Sequence, residues 1–212
     1  MPHAIRVHKP GGPEAMVWEE VPIGAPGPGE VLMRHTTVGL NFVDVYNRSC
    51  LYPSALPTLL GSEAAGVVEA IGPGVSEFKP GDRVAYGSAP VGAYAEKRLI
   101  NADRLLKLPD GIDDRRAAAM MLKGLTVQYL IRQTYKVKRG DTILCHAAAG
   151  GVGLILCQWA KHLGAIVIGT VGSDEKAALA QAHGCDHPVV YTRDDFVKRV
   201  LDVTGGKKLP VV

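Results

Sequence analysis

The residues with the clearest chemical purpose form a run of small ones, Ala148-Ala149-Gly150-Gly151-Val152-Gly153. The apolar stretch Thr142 to Cys145 before the run reads as a strand, and Gly151 to His162 reads as a helix. A glycine-rich turn from strand into helix suits anion binding. Ala148 stands where the usual dinucleotide fingerprint has its first glycine, and a small residue still permits the tight turn. Gly150 lets backbone N–H groups approach a pyrophosphate, and Gly153 lets the helix pack closely on the strand. The helix start adds unpaired donors and the positive end of its dipole. Ala149, Gly150, Gly151 and Val152 are therefore the candidate cradle for a dinucleotide.

The end of the following strand selects the dinucleotide. A ribose with free hydroxyls is usually held by Asp or Glu about 20 residues past the glycine motif. Here the segment reads Ile168-Gly169-Thr170-Val171-Gly172-Ser173, with no carboxylate at the strand end. Asp174 and Glu175 come later, as the first residues of a helix, and Lys176 follows within its first turn. Backbone amides around Gly172, the Ser173 hydroxyl and the Lys176 ammonium suit a 2′-phosphate, which points to NADPH. The plainer alternative is that Lys176 is an ordinary exposed helix lysine.

Around these residues the chain shows two styles. Up to about residue 110 it reads as short strands: Ala4 to Val7, Met16 to Val21, Val31 to Val38, Ala64 to Ile71, Arg83 to Tyr86 and Ala93 to Ile100. Gly/Pro turns such as Gly24-Ala-Pro-Gly-Pro-Gly29 separate them. Asn41 is placed to cap a short helix running through about Ser49. From about residue 113 helices appear: one capped by Asp113 or Asp114, a second from about Leu125 to Thr134. An alternation follows, with strands at Thr142–Cys145, Ala165–Thr170 and Pro188–Tyr191 and helices at Gly151–His162, Asp174–His183 and Asp194–Val203. Such β-α repetition predicts a parallel sheet with right-handed crossovers.

Composition narrows the class. The 212 residues are 47% hydrophobic and 21% charged, with a formal net charge of +3. That is globular and too weakly basic to imply a nucleic-acid partner. The first residues show no apolar leader, and no stretch reads as a membrane helix. Cys50, Cys145, Cys157 and Cys185 match neither a zinc pattern nor a disulfide framework. Reduced thiols in a cytoplasmic protein are the expectation.

The motifs together resemble a known family. Gly140-Asp141-Thr-Ile-Leu144, the glycine run and Gln158-Trp-Ala-Lys161 carry the strongest likeness. Gly39-Leu-Asn-Phe-Val-Asp-Val-Tyr46, Leu51-Tyr-Pro53 and Lys123-Gly-Leu-Thr126 add to it. The chain resembles the zinc-independent, zeta-crystallin-like quinone oxidoreductases of the medium-chain dehydrogenase/reductase superfamily. The resemblance implies an α/β fold: a GroES-like β-rich catalytic domain at residues 1–124, then the first half of a Rossmann parallel sheet at 125–212. It implies NADPH-dependent reduction of a small-molecule quinone, by hydride or single-electron transfer. It also implies roles for residues that match its motifs. Asn41 would lie at the nicotinamide end and act with Tyr46 and Tyr52 in catalysis. Thr126 would lie near the carboxamide, and Tyr191 along the adenosine with Ser173 and Lys176. Asn41 would otherwise serve only as a cap, and the tyrosines only as packing.

Zinc-dependent relatives carry Gly-His-Glu and a four-cysteine lobe. Here the run is Gly61-Ser62-Glu63, so no metal is expected; Cys50, His35 and Glu63 are the one set that would have to converge. His146 reads as buried or structural and not as catalytic. Two alternatives to quinone reduction stand: a zinc-free enone or alkenal reductase, and an NADPH-binding protein without turnover. The last residues, Leu209 to Val212, read as the start of a fourth strand, whereas family members continue, are homodimeric and complete the sheet. A C-terminally truncated chain is therefore the expectation.

Overall fold

The computed structural model describes residues 1–88 and 90–212. The chain divides into two compact units, Met1–Leu122 and Lys123–Val212.

The first unit is built on antiparallel strands. β1 (His3–Val7), β2 (Met16–Glu20), β3 (Glu30–Gly39) and the short helix α1 (Phe42–Arg48) come first. They are followed by β4 (Thr58–Leu59), β5 (Glu63–Ile71), β6 (Arg83–Gly87), β7 (Lys97–Asn101) and β8 (Leu106–Lys107). Two sheets result, with orders β2-β1-β4 and β7-β3-β5-β6-β8. One face of the larger sheet buries Val31, Met33, Val68, Val84 and Tyr86 together with Phe78. The other face is lined by small residues, Ala65 and Ala85, which pack against Ala117 and Ala118 of helix α2 (Asp114–Tyr129). Asp113 caps α2 by accepting from the Arg116 N–H at 2.8 Å. The close approach of α2 explains a glycine: a Cβ on Gly39 would stand 2.2 Å from the Ala118 carbonyl oxygen.

Two expectations change here. The strand read from Ala93 begins only at Lys97. The backbone N–H groups of Gly92 and Ala93 both donate to the Gly61 carbonyl, and Tyr94 N donates to Leu60 O. That loop takes the donors a ladder would need. The two helices read on either side of residue 124 are one helix, α2, ending in a π-helical turn at Leu130–Thr134. Gly124 keeps a helical conformation, so a single glycine costs the helix about 1 kcal/mol and does not break it.

The second unit contains β9 (Thr142–Cys145), α3 (Gly151–His162), β10 (Ile166–Val171), α4 (Asp174–Ala182), β11 (His187–Val190) and α5 (Phe196–Thr204). Its strands are parallel, in the order β11-β10-β9. Alternate strand residues feed two faces. Ile143, Val167 and Val190 pack with Cys157 and Ala160 of α3 and Ala180 of α4. Leu144, Ile168 and Val189 pack with Phe196, Val200 and Val203 of α5. α5 begins two residues later than read because the Asp195 side chain accepts from Val197 N and Lys198 N. Residues 209–212 form no strand, although Leu144 N on β9 donates to Val211 O at 3.3 Å. All four cysteines are free thiols. Among the described residues no helix is long and apolar enough to cross a membrane.

Candidate functional site

In the second unit, the glycine run makes the turn from β9 into α3. The chain leaves β9 through His146 and turns at Ala147, which takes a left-handed φ of 52°. Gly150 N closes the turn on Ala147 O at 2.8 Å, and Ala148 N ties the loop to Thr170 O of β10 at 3.0 Å. Gly150 is the N-cap of α3, with no side chain satisfying the first helical N–H groups. Those donors lack intrahelical acceptors by helix geometry. A bare, uncapped helix start of this kind fits a phosphate.

Beyond the loop lies a cavity of about 510 Å³. Of the residues singled out from the sequence, Ala149, Gly150, Gly172, Lys176 and Tyr191 line it together. Gly151 and Val152 instead line a neighbouring apolar cavity of about 570 Å³ that Cys145 and Val211 share. Ser173 caps α4, its Oγ accepting from Lys176 N at 3.3 Å. Thr126 stands half-buried on α2. His146, expected to be buried or structural, is not buried: it is exposed and lines the first cavity. Its Nδ1 is 2.9 Å from Thr170 Oγ1, and its ring meets Phe196 edge-on at 5.5 Å. Thr170 and Phe196 also line the cavity and escaped the sequence reading. Their signal was weak, because both fall where a strand end or helix start needs no explanation.

In the first unit, the candidate catalytic residues lie around α1. Asn41 is its N-cap, and its own N–H donates to Asp44 Oδ2 at 3.0 Å. Tyr94 OH donates to the same oxygen at 2.7 Å, and burial with the Asp44 contact pushes the Tyr94 phenol well above its ordinary pKa. The Asn41 amide Nδ2 donates to Glu63 Oε1 at 2.8 Å. Glu63 Oε2 accepts from Leu122 N at 2.8 Å, and Glu63 is fully buried. Tyr46 and Tyr52 meet edge-to-face at 5.3 Å, and Phe42 meets Tyr46 at 5.2 Å. Phe42 and Tyr52 are exposed, so this is an open aromatic ladder. Sequence reasoning missed Asp44, Tyr94 and the clamp at Glu63. A charged residue inside the apolar run Leu59 to Val68 was the available signal for the last.

Among the described residues no group of three or more His, Cys, Asp or Glu side chains is placed to hold a metal ion. Of the set considered, Glu63 is engaged as above and His35 spends both ring nitrogens elsewhere. His35 Nδ1 lies 2.6 Å from Ala95 O, and Nε2 lies 3.0 Å from Tyr86 OH. Arg98 donates to the same phenol oxygen at 3.2 Å. Burial, with Arg98 nearby, pulls the His35 pKa down to about 4. The unfolded chain therefore binds the proton first as pH falls from about 6.5 to about 4. Stability should be complete above that window and fall by up to about 3 kcal/mol across it. Urea unfolding of the wild type and His35→Gln at several pH values checks this: the variant should lack that share of the slope.

A β-rich unit followed by β-α repeats that open on a glycine-run turn is the architecture of a medium-chain dehydrogenase/reductase. Comparison with known proteins agrees. The "Alcohol dehydrogenase GroES-like domain" family matches residues 27–110, and the "Zinc-binding dehydrogenase" family matches residues 151–212. A quinone oxidoreductase of Pseudomonas aeruginosa is 56% identical over 203 residues, covering 95% of this chain and 62% of the relative. A 2-haloacrylate reductase of a Burkholderia species is 50% identical over 212 residues, covering 97% of this chain and 64% of the relative. The solved structure of an Escherichia coli quinone oxidoreductase complexed with NADPH superposes with a TM-score of 0.97 at 48% identity. That match covers 99% of this chain and 65% of the solved one. The chain is therefore similar to quinone oxidoreductases of this superfamily. It spans 62–64% of the length of these curated relatives.

Proposed function

We propose that the chain carries the NADPH site and the acceptor-binding residues of a zinc-independent quinone reductase, with a GroES-like domain at 1–124 and part of a Rossmann domain at 125–212. The observation that carries this reading is the cavity where Gly150 at the bare start of α3, Gly172, Lys176 and Tyr191 meet, with no carboxylate at the end of β10. The family relatives support it, among them the structure complexed with NADPH. The α3 N–H groups would hold the pyrophosphate. The Lys176 ammonium, Ser173 and Tyr191 would hold the 2′-phosphate and adenosine. When bound, the nicotinamide supplies the reducing electrons. Asn41 and Thr126 are assigned to the nicotinamide end. Tyr46 and Tyr52 offer aromatic surface to a planar acceptor and phenols that can donate to a quinone oxygen. An electron-poor quinone needs little activation beyond being held in place, so this constellation requires no Lewis acid.

Titration of the chain with NADPH and NADH, followed by nicotinamide fluorescence, tests the cofactor assignment. Lys176→Ala should weaken NADPH by about 10- to 150-fold, the worth of one charged hydrogen bond. NADH should hardly change, and equal loss of both would remove the 2′-phosphate assignment. A second reading is favoured by the 50% identity to a 2-haloacrylate reductase: reduction of a conjugated, electron-poor alkene at the same site. Cofactor oxidation driven by 1,4-benzoquinone supports the first reading, and oxidation driven only by 2-chloroacrylate supports the second.

A further inference from the structure

The cofactor cavity has an acidic neighbourhood that a phosphate must tolerate. α4 opens with Asp174 and Glu175 ahead of Lys176, and Tyr191 is followed two residues on by Arg193 and then Asp194. Across these two segments, three carboxylates face two cations. The segments are laced together beside the cavity: Thr192 Oγ1 donates to Gly172 O at 3.4 Å, and a Cβ on Gly172 would stand 3.1 Å from Tyr191 OH. The third link is ionic. Arg193 NH1 donates to Asp174 Oδ2 at 2.6 Å, and Arg193 Nε lies 3.7 Å from Asp194 Oδ2.

An exposed ion pair of this kind contributes little to folding. Its position gives it another effect. Asp174 lies two residues from Lys176, so an unmasked Asp174 carboxylate would repel the dianionic phosphate that Lys176 attracts. We propose that Arg193 is a specificity-determining residue: by holding and neutralising Asp174 it keeps the start of α4 permissive for a 2′-phosphate. This rests on the NADPH reading above. In this role Arg193 masks Asp174 and does not itself grip the ligand.

The test uses 2′,5′-ADP and 5′-AMP as probes, titrated calorimetrically into the chain, so that no activity is needed. Arg193→Gln should weaken 2′,5′-ADP by about tenfold, the effect of one unmasked charge near a dianion in water, and leave 5′-AMP unchanged. Adding Asp174→Asn to Arg193→Gln should restore the lost affinity, because the charge that needed masking is gone. A double variant as weak as Arg193→Gln alone overturns the masking role. So does an Arg193→Gln variant that binds 2′,5′-ADP normally while Lys176→Ala does not, and that result leaves the cofactor reading standing. A wild-type chain that fails to prefer 2′,5′-ADP overturns both. All three side chains are exposed, so loss of fold does not cloud the result.

Discussion

Replacing Gly153 with alanine should abolish dinucleotide binding and destabilise the second unit by about 3 kcal/mol, the scale of overpacking against a fixed wall. A Cβ there would stand 2.4 Å from Ala147 O and 2.7 Å from Ala148 Cα and carbonyl carbon. These are backbone atoms of the glycine run, so no side chain can rotate aside. Either α3 lifts from β9 or the loop that shapes the cradle moves. Denaturant unfolding read with NADPH titration checks both consequences. Gly124→Ala makes the control. Its added Cβ would meet nothing within 4 Å, and the residue lies inside α2. The same substitution should stabilise there by up to about 1 kcal/mol. Normal cofactor affinity in Gly153→Ala would refute the close-approach account of the loop.

Glu63→Leu should cost about 4 kcal/mol in the first unit. Glu63 is fully buried and accepts from Asn41 Nδ2 and Leu122 N through separate oxygens. Leucine keeps the bulk and deletes both acceptors, and each part-buried donor that loses this acceptor costs up to about 1–3 kcal/mol. Glu63→Gln is the informative companion. It retains one acceptor oxygen, so its stability loss should be about half. Its second polar atom is a donor, however, facing either Asn41 Nδ2 or Leu122 N. If Asn41 serves the reaction, Glu63→Gln should reduce acceptor-dependent kcat about tenfold or more while the affinity for NADPH changes little. Unchanged kcat in a folded Glu63→Gln protein would show that the orientation of the Asn41 amide is immaterial to turnover.

Much of the second unit was legible from residue order because its signals are local. Strand, glycine run and helix are contiguous from Thr142 to His162, and α3 spans the residues its spacing indicated. The missing carboxylate at the end of β10 is likewise a matter of sequence, as are the cap at Asn41 and the choice of Asp113 or Asp114 to cap α2, which the structure resolves to Asp113. Errors fell where a distant partner competes. The start of β7 depends on Gly61, some thirty residues earlier in the chain, capturing the donors of Gly92 and Ala93. The placing of His146 in a cavity depends on Thr170 and Phe196, which no local pattern ties to it.

The sequence by itself thus determined the β-rich then β-α order, the glycine-run turn into α3 and the absence of a carboxylate at the end of β10. Periodicity, capping and glycine freedom act within a few residues and can be read along a line. Tertiary structure alone decided that Glu63 clamps Asn41 to Leu122 N, that His35 is held between Ala95 and Tyr86, and that Arg193 covers Asp174. Each of these is a polar contact between segments far apart in sequence. Its energy depends on a partner's distance and on exclusion of water, and both exist only once the chain has packed.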